Sequence, residues 1–237
     1  MRRRLGHTLV ELITVIAISG AAGVGAVHLI GEVTRIFWAQ SFRESALTQQ
    51  SIALQRIVRE INSAVPNSFV ISPDGSEITF DVAHSAGLAQ ATAGALVDTT
   101  NPELSSEWAG MLAVGRAHGP STSSSPARLE ETVTGVQPGS GRIQGSFDSS
   151  WPNRYFITDQ RVTFRRVGQR LIRNVESRGN NGPDRSGLED PLCDWLNSLQ
   201  FERQGSDLVI VRLWVEHPQQ PGEIFELGDA ARVFQRP

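Results

Sequence analysis

The chain has 237 residues, a formal net charge of −3 and an apolar fraction of 39%, which suffices for one globular domain with an appendage and excludes a wholly disordered chain. It contains no lysine and its arginines are spread along the chain, so we expect no nucleic-acid partner. Its single cysteine, Cys193, cannot form an internal disulfide and therefore does not indicate the redox compartment.

The first predicted element is an apolar helix near the N-terminus. Residues 12–31 contain no Asp, Glu, Lys or Arg, and a helix of this length matches a hydrocarbon core of about 30 Å. Arg2, Arg3 and Arg4 precede it, and positive charge beside a first apolar segment predicts that this end stays cytoplasmic. The sequence therefore predicts a single membrane span, with the residues after Gly31 on the opposite side.

An ordinary secretory signal peptide is the alternative for this segment. A basic start, an apolar stretch and small residues would then lead to cleavage near Ala22 or Ala26, with a mature N-terminus at about Val27 and release of an exported enzyme or binding protein. Two features favour a retained helix instead. Glu11 interrupts the apolar stretch, and no proline occurs before Pro66.

Glu11 needs a physical explanation, because a charged group inside a bilayer costs a few kcal/mol and tends to persist only with a partner or a function. Its carboxylate lies near the end of the predicted span, so the side chain could simply reach back to the head groups. The other interpretation is that Glu11 pairs with a positive charge when helices assemble.

The segment Gly6-His7-Thr8-Leu9-Val10-Glu11-Leu12 resembles the type III signal of type IV pilins and type II secretion pseudopilins, although the family usually has Phe where this chain has His7. The resemblance implies that a prepilin peptidase cuts between Gly6 and His7 and methylates the new amine. Residues 1–6 would then be a leader, and residues 7–31 would stay on the mature protein as the transmembrane and assembly helix.

Such a cut would place a positively charged amine one helical turn from the carboxylate of Glu11. An unpaired charge is strongly penalised at low dielectric, whereas a well-placed ion pair is tolerated. An amine and a carboxylate from neighbouring subunits would therefore favour packed helices over isolated ones and help to fix their axial stagger.

Residues 32–65 are predicted to continue the helix as an amphipathic half. The apolar side chains that recur at helical spacing predict one buried face, and Pro66 ends the helix near Ala64 or Val65. The whole helix, from about Thr8 to Ala64, would be roughly 85 Å long. The predicted buried positions are Leu47, Leu54, Val58, Ile61 and Val65.

Residues 66–237 are predicted to form a β-rich domain with hairpins at Pro73-Asp74-Gly75, at Gly168-Gln169 and around Gly205, and a last strand in residues 222–237. Residues 84–150, rich in small and turn-forming residues, predict a long irregular insertion with two or three short strands. The predicted fold class is α+β, with one long N-terminal helix packed on an antiparallel sheet.

This order of elements, with the passage at residues 52–72 and the ending at residues 222–237, is similar to two larger minor members of the family. One is the minor pilin of the mannose-sensitive haemagglutinin (MSHA) pilus, and the alternative is the J-type pseudopilin of a type II secretion system. The resemblance implies a pilin-like fold in the inner membrane, with a periplasmic C-terminal domain. The implied partners are prepilin peptidase, other pilins or pseudopilins, the assembly platform and the lipid bilayer.

A search for catalytic chemistry finds no zinc spacing, nucleophile elbow or phosphate-binding loop, so we expect no enzymatic activity and no cofactor. Cys193 beside Asp194 is expected to be a buried small residue rather than a nucleophile. One acidic, turn-rich segment, residues 178–190, offers oxygen ligands for calcium, although the same residues are common in ordinary turns. The calcium candidates are Asn181, Asp184, Glu189 and Asp190.

Overall fold

A computed structural model describes residues 9–99, 101, 104–116, 128–178, 188–205, 208–216 and 222–232. The chain divides into two compact units, residues 1–47 and residues 48–237. Helix α1 extends from Leu9 to Asn62, so that its residues belong partly to the first unit and partly to the second.

The fold class is α+β, because the remaining regular structure consists mainly of strands. The single long helix agrees within two residues with the predicted span from Thr8 to Ala64, and it ends before Pro66. The strands are β1 (Val70–Ile71), β2 (Glu77–Val82), β3 (Ser85–Leu88), β4 (Gln90–Thr92), β5 (Ala95–Val97), β6 (Leu112–Arg116), β7 (Arg128–Thr132), β8 (Gly135–Gln137), β9 (Arg142–Gln144), β10 (Arg154–Thr158), β11 (Gln160–Val167), β12 (Arg170–Ser177), β13 (Leu188–Cys193), β14 (Leu196–Gln204), β15 (Leu208–Glu216) and β16 (Ile224–Arg232).

These strands form four sheets, and every pairing between them is antiparallel. The five-stranded sheet has the order β1-β2-β11-β12-β13, and a three-stranded sheet has the order β14-β15-β16. Two four-stranded sheets have the orders β3-β10-β6-β7 and β4-β5-β9-β8. The prediction of antiparallel pairing is confirmed, but the strands are divided among several sheets rather than gathered in one.

The three predicted hairpins are confirmed. The turn that contains Gly75 joins β1 to β2, and a three-residue connection at Gly205 joins β14 to β15. The turn between β11 and β12 has two residues, with Gly168 at a φ of 61° in its first position. A positive φ at this position is what a type II′ turn requires, and glycine adopts it without steric cost.

The part of α1 in the second unit packs against the sheets. Ile57 and Ile61 are fully buried, and the amide of Ala83, the residue after β2, donates to the carbonyl of Ser63, just past the helix end, at 2.8 Å. The predicted buried stripe is correct for Leu54, Ile61 and Val65, whereas Leu47 and Val58 are only half-buried. The buried face is therefore centred on Ala53, Ile57 and Ile61.

The prediction of an irregular insertion over residues 84–150 is wrong in its strand content. Seven short strands, β3 to β9, lie in this range among the described residues, and they share with β10 a core around Trp108, Leu96, Ile143 and Tyr155. Strands of three to five residues are too short to display a clear period-two pattern, and alanine, glycine and threonine dilute it further. Their stability comes from tertiary burial rather than from local propensity.

Candidate membrane-spanning and assembly segment

The apolar surface of α1 in the first unit is almost entirely exposed. Fifteen large apolar side chains between residues 9 and 38 are each more than half exposed, from 53% for Ile36 to 75% for Leu9. Soluble monomers rarely expose contiguous apolar surface on this scale, which marks contact with a membrane or with other proteins. Within the described ranges, one helix, α1, is long and apolar enough to cross a bilayer.

Glu11 lies in the first turn of the described helix, at the edge of this apolar surface. The next charged side chain along the helix is Glu32, so Glu11 is the single ionisable carboxylate over about 30 Å of helix. A carboxylate near a helix N-terminus is favoured by the partial positive charge of the unpaired amide groups. The hydroxyl of Thr14 donates to the carbonyl of Glu11 at 2.9 Å, which adds a local contact within the same turn.

Packing within the described part of the chain does not require the glycines of this segment. A Cβ atom added to Gly20, Gly23 or Gly25 would meet no atom within 4 Å. Each glycine nevertheless lowers helix stability by roughly 1 kcal/mol relative to alanine in water. Small residues that contact nothing in their own chain leave room for close approach of a neighbouring helix.

The exposed apolar surface extends beyond Gly31, where the charge-free segment ends. Val33, Ile36, Phe37 and Trp38 are all more than half exposed. The sequence prediction stopped at Gly31 because Glu32 follows it. The aromatic residues Phe37 and Trp38, shortly after the Glu32–Arg35 turn, are the signal that could have extended the predicted segment.

Gly6 and His7, the predicted processing residues, lie outside the described residues. The cleavage between them therefore stays a prediction from the sequence. Helix α1 is already formed at Leu9, two residues after His7.

The calcium candidates are only partly described, since Asn181 and Asp184 lie outside the described residues. Glu189 and Asp190 are successive residues of β13, so their side chains point to opposite faces of the sheet. Each already contacts an arginine: Glu189 is 2.8 Å from Arg165, and Asp190 is 2.9 Å from Arg56. The described part of the chain contains no group of three or more His, Cys, Asp or Glu side chains suited to a metal.

Cys193 is buried, with 4% of its surface exposed. Burial raises the pKa of its thiol to about 11, because the interior disfavours the thiolate. The thiolate is the nucleophilic form, so this thiol is poorly suited to catalysis near neutral pH. Its surroundings agree with the interpretation of Cys193 as a small buried residue.

Comparison of the chain with protein-family models, with curated proteins and with solved structures finds no match. The functional proposal therefore depends on the residues of the chain itself and on the exposed helix that carries them.

Proposed function

We propose that this protein is a minor pilin or pseudopilin, a structural subunit of a type IV pilus of the MSHA type. The observation that carries the proposal is one exposed, charge-free helical segment with a single carboxylate, that of Glu11, at its start. A soluble monomer has no use for such a surface, whereas a subunit stored in a bilayer and assembled by helix packing needs it.

In this proposal prepilin peptidase removes residues 1–6 and leaves His7 as the N-terminal residue. The new amine lies four residues before Glu11, about one helical turn away. Within an isolated subunit both groups can reach the head-group layer. When helices pack side by side, the carboxylate of one subunit can neutralise the amine of its neighbour, which removes two charges that low dielectric would penalise.

The glycines support the same assembly role. An added Cβ at Gly20, Gly23 or Gly25 would meet no other part of the described chain within 4 Å, so the space beside them is available to another helix. Helix association in lipid depends on close van der Waals packing rather than on the hydrophobic effect, and small residues permit that approach.

The second unit would be the periplasmic part of the subunit. Its hairpins, its hydrophobic core clusters and its attachment to the last four turns of α1 make it a folded domain of ordinary size. In the proposed role this domain contacts other subunits of the filament, while the helix of the first unit supplies the membrane anchor and the assembly contacts.

Sequencing of the mature N-terminus tests the proposal. The protein is expressed with a prepilin peptidase, and its membrane fraction is extracted with alkaline carbonate. We expect the mature chain to begin at methylated His7 and to remain in the membrane. A chain that begins near Val27 and is released as a soluble periplasmic protein would instead support the ordinary signal peptide.

A further inference from the structure

The exposed apolar surface of α1 continues past the charge-free segment for about two more turns. Val33, Ile36, Phe37 and Trp38 are between 53% and 64% exposed. The turn from Glu32 to Arg35, which contains Val33, is all that lies between Ile36 and the apolar residues that precede Gly31. This continuity indicates that the surface is covered by the same kind of environment along its whole length.

Glu32 and Arg35 neutralise each other within that turn. Arg35 Nη2 is 3.2 Å from Glu32 Oε2, in an i,i+3 arrangement. The turn therefore presents no net charge. Both side chains are long and well exposed, which allows their charged ends to remain hydrated beside lipid head groups.

Phe37 and Trp38 form an aromatic pair that is separated from the ion pair by Ile36 alone. Their ring centroids are 6.3 Å apart with an interplanar angle of 74°, and the two side chains are 64% and 62% exposed. Tryptophan combines a large apolar ring with an N–H donor, and this combination favours the boundary between hydrocarbon and water.

The helix length places these rings in the head-group layer. When residues 12–31 fill a hydrocarbon core of about 30 Å, the backbone of Trp38 lies seven residues, or about 10 Å, beyond its edge. Helical side chains lean toward the helix N-terminus, by about one turn for a long side chain. The rings then lie about 5 Å outside the hydrocarbon, within a head-group layer about 5–7 Å thick on each side.

From this geometry we propose that Phe37 and Trp38 are a lipid-interface anchor on the side of the membrane opposite the N-terminus. The anchor rests on the proposed function, in which α1 stays in the bilayer. It sets the depth of the helix, and with that depth Glu11 lies at the opposite hydrocarbon boundary, where its carboxylate remains hydrated before assembly.

Fluorescence quenching by brominated lipids tests the anchor. The full-length protein is reconstituted in phosphatidylcholine vesicles with bromines either near the head groups or deep in the acyl chains. The chain has five tryptophans, so the emission of Trp38 is obtained as the difference between the parent and Trp38→Phe. The matched control is Trp195→Phe, which removes an exposed tryptophan of the second unit.

We expect the shallow bromines to quench the Trp38 emission about twofold more than the deep bromines. The emission that shallow bromines quench preferentially should be absent in Trp38→Phe and retained in Trp195→Phe. Emission that neither lipid quenches would overturn the anchor, because Trp38 would then face water or another protein. Stronger quenching by the deep bromines would also overturn it, because the ring would then lie in the hydrocarbon.

The same preparation separates the two proposals. Alkaline carbonate extraction and N-terminal sequencing report whether the helix is retained in the membrane with His7 at its end. If the chain stays in the membrane with His7 at its end but the quenching is not as expected, the proposal of the anchor alone is wrong. If carbonate releases the chain, the membrane-embedded subunit is wrong as well.

Discussion

Arg173 of β12 donates through Nε to both carboxylate oxygens of Glu60 in helix α1, at 2.9 and 3.0 Å. Each side chain is only 16% exposed, so solvent screens the pair weakly. Arg173 lies opposite the buried Phe164 in the β11–β12 hairpin, on the face that meets the helix. The hairpin therefore presents this arginine to the helix rather than to solvent.

We expect Glu60→Ala to destabilise the second unit by about 2 kcal/mol, because the substitution leaves the guanidinium of Arg173 half-buried without its carboxylate. Denaturant unfolding of the full chain in detergent micelles measures the change. The matched control is Glu202→Ala, which removes a pair with Arg212 that is longer, at 3.5 Å, and more exposed. Its cost should stay below about 1 kcal/mol. Equal losses in the two variants would contradict a structural role for the Glu60–Arg173 pair.

Gly87 of β3 lies opposite Tyr155 of β10, beside a buried polar cluster. The hydroxyl of Tyr155 donates to Asp98 Oδ2 at 2.9 Å and accepts from Asn101 Nδ2 at 3.1 Å. A Cβ atom at position 87 would overlap both Asp98 Oδ2 and the tyrosine oxygen. Gly87→Ala should therefore lower the free energy of unfolding by about 1–3 kcal/mol.

Gly139→Ala is the control for that substitution, because a Cβ at position 139 would meet no atom within 4 Å. We expect its effect to stay within about 0.5 kcal/mol. The same denaturant titration serves both variants. A fully stable Gly87→Ala protein would show that the close packing around Tyr155 is not maintained in solution.

The buried thiol of Cys193 predicts a pH dependence of stability. Its pKa is raised from 9.0 to about 11 in the folded state, so the unfolded chain loses the proton first as the pH rises. The stabilising contribution is complete below about pH 9 and is lost between about pH 9 and 11, at up to about 1.4 kcal/mol per pH unit. Burial also raises the pKa of Tyr155, which adds a second loss above about pH 10.

The free energy of unfolding is therefore measured between about pH 9 and 10, where Tyr155 contributes least to its pH dependence. In Cys193→Ala, the free energy of unfolding should fall less steeply with pH, because the contribution of the thiol is absent. An unchanged slope in this variant would mean that another group titrates in the window.

Gly6→Ala should abolish the removal of the leader when the protein is expressed with a prepilin peptidase. The predicted motif places the scissile bond directly after this glycine, and a Cβ there changes the residue that the peptidase must accept. Mass spectrometry of the purified chain measures the outcome. A variant processed as fully as the parent would rule out the motif interpretation.

Glu11→Ala should leave cleavage and membrane insertion largely intact and should reduce filament assembly at least about tenfold, which corresponds to about 1.4 kcal/mol per subunit contact. The lost interaction is the proposed pair with the N-terminal amine of a neighbour. Shear fractions analysed by immunoblotting measure assembly, and carbonate extraction measures insertion. Glu44→Ala is the matched control, since Glu44 is an exposed carboxylate of the same helix beyond the apolar segment. Normal assembly of the Glu11 variant would remove the role assigned to this residue.

The sequence by itself determined the features that depend on local patterns. The long helix, its end before Pro66 and the hairpins at Gly75, Gly168 and Gly205 follow from periodicity and from turn chemistry that acts over a few residues. The exposed apolar segment and the position of the Glu11 carboxylate at its start are equally local, because lipid rather than a distant part of the chain is their proposed environment.

Only the tertiary structure decided which strands share a sheet, how residues 84–150 fold and which charges meet. Glu60 and Arg173 are 113 residues apart, and no local pattern links them. The short strands of the insertion are stabilised by a core whose members, such as Trp108 and Tyr155, come from distant segments. Such contacts depend on the closure of long loops and on side-chain shape, which local propensity does not encode.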